Sequence, residues 1–391
     1  MPAARPRDWS RRTIIAGVPI DHDSLDWARA MLLRGQPPMA AFRIMVEADP
    51  QQYGVPMARA LLTDVWRSGL DSTVFTEEGI AVASATAPGT PGRTEILLKL
   101  YASHQHALFE QGRRAEGMAA RAVAGELART ATQHVPRRNG LAQWARGLAE
   151  QGRHAEAAEL CVEASAAIRL DPVLSGHAMW DEIPRAAQLA AAGRPQEAAD
   201  VFGAVVSDRR ATFPHNRDLV HLLLQQARFL ATAGEDPGEA HQEAVDLVRH
   251  LAADGETHPS TLHREMWAIL AAVSVAGDEM AAGVDPLPAF GWEISEWTPD
   301  LRRAYCAGID DLIAAASRAS RPAVLRRRIA ARCAVRETWF RKTHDPRTPC
   351  APAFDDSVAA GGPEALIDRA AFAVVRGRYD DALDDLTAAL R

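Results

Sequence analysis

Glycine recurs along this chain between pairs of apolar helical patterns. Gly35, Gly69, Gly112, Gly152, Gly193, Gly234 and Gly277 follow one another at 34, 43, 40, 41, 41 and 43 residues. A fixed period of that length narrows the possible folds more than any composition could. One helical hairpin cannot bury its apolar face alone, so successive hairpins must stack and bury it against each other. The clearest unit is Leu141–Ala164, LAQWARGLAEQGRHAEAAELCVEA, whose two helical patterns meet at Gln151-Gly152-Arg153. The same figure returns at Ile183–Val205 around Gly193 and at Arg369–Leu390 around Gly377.

Size and composition agree with such an array. The chain has 391 residues, beyond what one compact core holds, whereas a linear repeat escapes that limit. Its hydrophobic fraction of 47% is ample for burial, and abundant alanine favours helix. No apolar run reaches the eighteen or so residues a membrane span needs, so no membrane association is expected. A formal charge of -7 speaks against a strongly basic nucleic-acid binder. Cys161, Cys306, Cys333 and Cys350 lie far apart and form no CxxC pair, which fits a reducing cytosol and predicts a cytoplasmic protein.

The expected organisation has four parts. Residues 1–20 are an irregular basic lead-in, and residues 21–282 carry the repeats. Residues 283–363 break the beat, and residues 364–391 form a C-terminal hairpin. Within the break, Gly283–Asp300 reads as an ordered excursion whose Trp292 and Trp297 plug or gate the array. Leu301–Ala316 reads as one helix, a second runs from Pro322 to about Lys342, and Asp345–Pro363 reads as a loop rich in proline and glycine.

The residues around the glycines resemble the tetratricopeptide repeat. That family prefers a small residue seven positions before the turn glycine and alanine five after, with large apolar and small residues nine and twelve after. Around Gly152 these positions hold Ala145, Ala157, Cys161 and Ala164. Around Gly193 they hold Ala186, Ala198, Phe202 and Val205, and around Gly377 they hold Ala370, Ala382, Leu386 and Ala389. The units at Gly35 (Ala28, Ala40, Ile44) and Gly112 (Gln105, Gly117) match less well. The period of about 41 is similar to the long repeats of kinesin light chains and of sensor arrays in bacterial signalling ATPases. HEAT and armadillo repeats share that period, but their proline-kinked first helices are not evident here. The resemblance implies an all-α fold, a right-handed superhelical solenoid of stacked antiparallel helical hairpins. It also implies an adaptor or sensor that binds peptides or proteins in its concave groove.

In that family the first helix of each hairpin lines the groove, at thirteen, ten, six, three and two positions before the glycine. Those positions hold Arg29, Arg59, Trp66, Arg67, Lys99, His106, Phe109 and Arg146, then Trp180, His221, Arg228, Arg264 and Trp267. Arginine and tryptophan anchor interfaces, and arginine grips carboxylates in a fork. The register therefore predicts a protein or acidic-peptide partner. The competing account is solvated arginines and core tryptophans, read one position out of register. A second basic patch steps by four along one helix at Arg328, Arg332 and Arg336, beside an apolar stripe of Leu325, Ile329 and Cys333. Such a stripe holds phosphates or an acidic surface, lies solvated, or pairs with acids elsewhere in the fold.

No phosphate-binding GxxxxGK[ST] loop, HExxH, GxSxG or GxGxxG motif occurs. No catalytic residue, cofactor or metal is expected. His104 and His106 fall on different sides of a helix, and the adjacent acids do not form an acid–base pair. The leading reading is a non-enzymatic scaffold or sensor. The alternatives are a regulator that responds to a ligand or signalling peptide, or an enzyme whose pocket lies near Trp292, Trp297 and His344.

Overall fold

The computed structural model describes residues 22–33, 39–68, 72–171, 173–174, 178–255, 263–342 and 350–391; the side chains of residues 22, 64–68, 72 and 340–342 fall outside the description. The lead-in at 1–20, Gly35, Gly69 and His344 lie outside the described residues. Among those described, all regular structure is helical. The chain forms two compact units, Met1–Leu141 and Ala142–Arg391.

The first unit holds α1 (His22–Leu33), α2 (Met39–Ala48), α3 (Pro50–Ser68), α4 (Ser72–Ala85), α5 (Arg93–Glu110) and α6 (Arg114–Arg129), and the division falls inside α7 (His134–Ala149). Each helix from α1 to α3 packs on the next, as does each from α3 to α6, and α3 also touches α5 directly. Two apolar cores result. One gathers Ala28, Ala41 and Met45, and the other gathers Val55, Ala58, Ala83, Ile96, Leu97 and Leu100. Pro50 opens α3 directly after Asp49, where its missing N–H would have had no intrahelical partner.

The second unit continues with α8 (His154–Arg169), α9 (Met179–Ala191), α10 (Pro195–Thr212), α11 (Arg217–Ala233) and α12 (Gly238–Asp254). From α8 to α12 every helix packs on its successor. The hairpin turns share one design. Gly112, Gly152, Gly193, Gly234 and Gly377 all have φ between 69° and 81°. The N–H of the following residue reaches back to a carbonyl near the helix end, as in Arg153 to Leu148 at 2.9 Å and Arg378 to Ala373 at 2.9 Å. This closure satisfies carbonyls that the helix end leaves open, and only glycine adopts its left-handed step without strain. After most of these turns an arginine forks onto an acid three residues on: Arg113 to Glu116, Arg153 to Glu156, Arg194 to Glu197. The small positions named from the sequence are where helices meet, since Ala145, Ala157, Ala186, Ala198, Ala370 and Ala382 are wholly buried.

Then the order changes. The inserted stretch contains α13 (His263–Ser274), α14 (Ala276–Ala281), a short 3-10 turn (Ile294–Glu296), α15 (Pro299–Ala307), α16 (Ile309–Arg318), α17 (Ala323–Lys342) and α18 (Ala351–Ala360). The C-terminal hairpin, α19 (Pro363–Val375) and α20 (Tyr379–Ala389), packs α19 on α11 and α20 on α12. It takes the place beside the α11–α12 hairpin that the next repeat would take.

Three sequence expectations change. Gly277 is not a turn glycine: it lies inside α14 and is absent from the positive-φ glycines, so its spacing is coincidental and the beat stops at Gly234. The helix expected over Leu301–Ala316 divides at Gly308, where a Cβ would sit 2.7 Å from a nitrogen of Arg332. The loop expected over Asp345–Pro363 contains α18, because Pro352 sits in its first turn, where proline is tolerated.

Candidate functional site

In the second unit, the face built from first helices is already occupied by the chain itself. Arg146 on α7 is buried and donates to Glu296 at 2.5 Å. Glu150, one turn on, accepts the backbone N–H and the hydroxyl of Thr298, each at 3.2 Å. Gln188 on α9 donates to the carbonyl of Phe290 at 2.8 Å. Between these polar anchors Gly291 lies on Pro184, where a Cβ would come within 2.5 Å of the proline Cα. Its φ of 96° also calls for glycine. Phe290, Trp292, Ile294 and Trp297 are buried, and the Trp297 ring meets Phe290 and Tyr305 edge-on. On their other side lie α13 and α17, with a gap of about 10 Å³ bounded by Trp292, Trp297, Ala268 and Val335. The excursion is thus packed on both sides, as a plug.

Further along, α11 packs on α13 and α19, and residues of α17 and α18 line a cavity beside it. Trp267 packs against both Phe354 and Phe372, whose rings stack on each other 4.9 Å apart. Arg228 is half-buried and donates to Asp368, which also accepts from Arg327 at 3.0 Å. Beside this cluster is a narrow cavity of about 20 Å³ lined by His221, Gln225, Arg228, Trp267, Phe354 and Asp368, among others. His221 is fully buried, and burial pushes its pKa down to about 3, helped by the positive charges of His263 and Arg217. Both of its ring nitrogens lack a protein partner, as do Gln225 Oε1 and Arg228 Nε.

The basic stripe on α17 is drawn inward by one acid. Arg328 donates to the wholly buried Glu279 at 2.5 Å, and Arg332 donates to it at 2.7 and 2.8 Å. Burial pushes the Glu279 carboxyl up, but the hydrogen bonds from Arg332 and Arg328 outweigh it and hold the group below the usual carboxylate range. Arg332 also lies over the Tyr305 ring. Of the three, Arg336 alone is half-buried. The stripe is therefore not a solvated helix face.

In the first unit the matching residues are outside. Arg29, Arg59, Lys99 and His106 are exposed. Lys99 bonds Glu95 at 2.9 Å, and His106 sits 3.9 Å from Glu110. His104, two residues earlier, is half-buried against the Thr76 hydroxyl at 2.9 Å. Phe109 belongs to the core, with Arg121 over its ring and Gly117 beneath it. The side chains of Trp66 and Arg67 lie outside the described residues. Trp180 is half-buried and Arg264 exposed. The places of Arg264 and Trp267 were counted from Gly277, and the register fails there because Gly277 closes no hairpin.

The polar groups missed from the sequence are Glu150, Gln188, Gln225 and Glu279. None stands in a recognisable motif, and only the i, i+4 spacing of His221 and Gln225 hints at a shared face. Burial pushes the Cys306 thiol up to about 11 and raises Cys333 and Cys350 as well, so none is a ready nucleophile at neutral pH. Among the described residues no group of three His, Cys, Asp or Glu is placed to hold a metal ion, and no helix is long and apolar enough to cross a membrane. In comparisons with known proteins, no family model matches the chain, and neither does any curated protein.

Proposed function

We propose that this protein is a non-enzymatic helical-repeat scaffold that binds an acidic segment of a partner protein on the first helices of the Met1–Leu141 unit. Its hairpins are read as tetratricopeptide-like units in a right-handed stack, and its buried free thiols fit a cytoplasmic setting. One observation carries the reading. Six positions before a turn glycine, Arg146 and Arg228 each grip a carboxylate, Glu296 and Asp368. In the first unit that register position holds His106 on α5 and, counted from Gly35, Arg29 on α1. Both are exposed, as are Lys99 one heptad before His106 and Arg59 on the adjoining α3. Arginine and lysine there can exchange their weak surface pairs for a denser row of carboxylates, since an exposed pair contributes only about 0–1 kcal/mol.

Fluorescence anisotropy with two labelled peptides tests this, one alternating Glu and Gly, the other its Gln counterpart. The Glu peptide should bind saturably, weaken as salt rises, and lose at least about tenfold in affinity in the Arg59→Glu/Lys99→Glu variant. Arg264→Glu serves as an exposed control from the other unit. Equal binding of the two peptides, or no effect of the double variant, sinks the reading.

A further inference from the structure

The cavity on α11 is small, with polar groups along one wall, and its lining atoms say what it takes. His221, Gln225 and Arg228 follow one another by four and then three residues, so one face of α11 presents all three to the same space. His221 and Gln225 are buried to 3% and 2% exposure. Neither imidazole nitrogen, nor Gln225 Oε1, nor Arg228 Nε has a protein partner. A buried donor or acceptor left unmet costs about 1–3 kcal/mol, and a well-packed interior rarely tolerates several side by side.

Size decides the occupant. A buried water needs at least about 10–15 Å³ of free volume and two to four polar partners. The cavity offers about 20 Å³. A metabolite or peptide side chain does not fit, and a lone cation is opposed by Arg228 and Arg327. An anion is opposed by Asp368, which lines the same wall.

We propose that this cavity is a built site for one ordered water molecule, which bridges His221, Gln225 and Arg228 and ties α11 to the inserted helices. One water meets three of these four atoms and leaves one imidazole nitrogen. Neutral imidazole accepts one water proton at a bare ring nitrogen, Gln225 Oε1 accepts the other, and the Arg228 Nε–H donates to the water oxygen. Of the other lining residues, Trp267, Leu270 and Phe354 are largely apolar, and Ser274 and Asp368 already hold protein partners.

A high-resolution crystal structure of the intact protein should show a single density peak within hydrogen-bond distance of His221 and Gln225. Magnetic relaxation dispersion of water oxygen should report a long-lived internal water that disappears in His221→Phe, where the ring fills the space. Gln225→Leu is the second variant. It removes one acceptor, should also lose the long-lived signal, and serves where His221→Phe does not fold. A dry cavity in the crystal, or the same dispersion amplitude in the wild type and a folded variant, overturns the proposal.

Discussion

On α5 of the Met1–Leu141 unit, Lys99 and His106 stand exposed, seven residues apart on one helix face. On α7 and α11 of the Ala142–Arg391 unit, Arg146 and Arg228 occupy the register position of His106, and both face inward onto carboxylates. The helices are built alike, with the same left-handed glycine closing each hairpin. What differs is what covers them. In the second unit the cover comes from the chain itself, through Glu296, Thr298 and the carbonyl of Phe290 on one stretch and through α13 and α19 on the next. A register of first-helix residues thus says which side chains share a face, and nothing about what lies on that face.

The comparison breaks most severely if the cover of the second unit is not structural. Glu279 anchors it. Replacing Glu279 with Ala leaves Arg328 and Arg332 buried without a counter-charge, and stability should fall by about 3–5 kcal/mol in urea unfolding. A loss below about 1 kcal/mol would mean that α14 and α17 hold together without this pair.

Charge reversal separates the two faces directly. Arg146→Glu faces Glu296 with a like charge from a buried position and should cost about 2–3 kcal/mol, less than a fully buried pair because Glu296 is partly exposed. Arg59→Glu should change stability by no more than about 0.5 kcal/mol, since it sits on the surface. Differential scanning calorimetry of both variants checks the pair. Similar melting temperatures would erase the distinction between the two faces.

Acid sharpens it. His221 has a folded pKa lowered to about 3 from 6.5, so the unfolded chain binds its proton first as pH falls. Its contribution is fully present above 6.5 and is lost on descending towards 3. Going from pH 6.5 to 5 should cost the wild type about 2 kcal/mol more than it costs His221→Gln, with Arg217, His263, Arg228 and Asp368 as the surrounding charges. Parallel pH profiles would show that His221 is hydrated well enough to titrate normally.

The smallest effect concerns the beat itself. Gly152→Ala forces a side chain into φ 74° and should cost about 1 kcal/mol. Gly277→Ala lies at an exposed position of α14 with nothing within 4 Å of the new methyl, and should gain up to about 1 kcal/mol. Equal losses at both sites would restore Gly277 to the series.

The helical hairpins were legible because periodicity and a left-handed glycine are local properties. Ala157 and Ala198 announce close helix contacts by their size alone. The plug was half legible: two tryptophans in a proline-rich stretch signal burial, but not against which helices. The acids that bind Arg146, Arg228, Arg328 and Arg332 come from distant parts of the chain, and no spacing rule links Glu296 or Glu279 to them. Gly277 misled for the opposite reason. Its spacing is right, but the helix before it ends at Ser274 and a new one begins at Ala276, so no hairpin closes there. Trp267, placed by that count in a groove, lies in the core with Phe354 and Phe372.

The seating of α19 and α20 against α11 and α12 has a consequence for synthesis. A ribosome makes α12 long before it makes α20, so the face of α12 that α20 covers waits, apolar and unmatched, while the whole excursion is translated. Contacts between segments so far apart in the chain form slowly, because a long loop must first be closed. The α19–α20 hairpin is therefore the segment whose late arrival covers α11 and α12, and the time before it arrives is when those helices have most need of a chaperone.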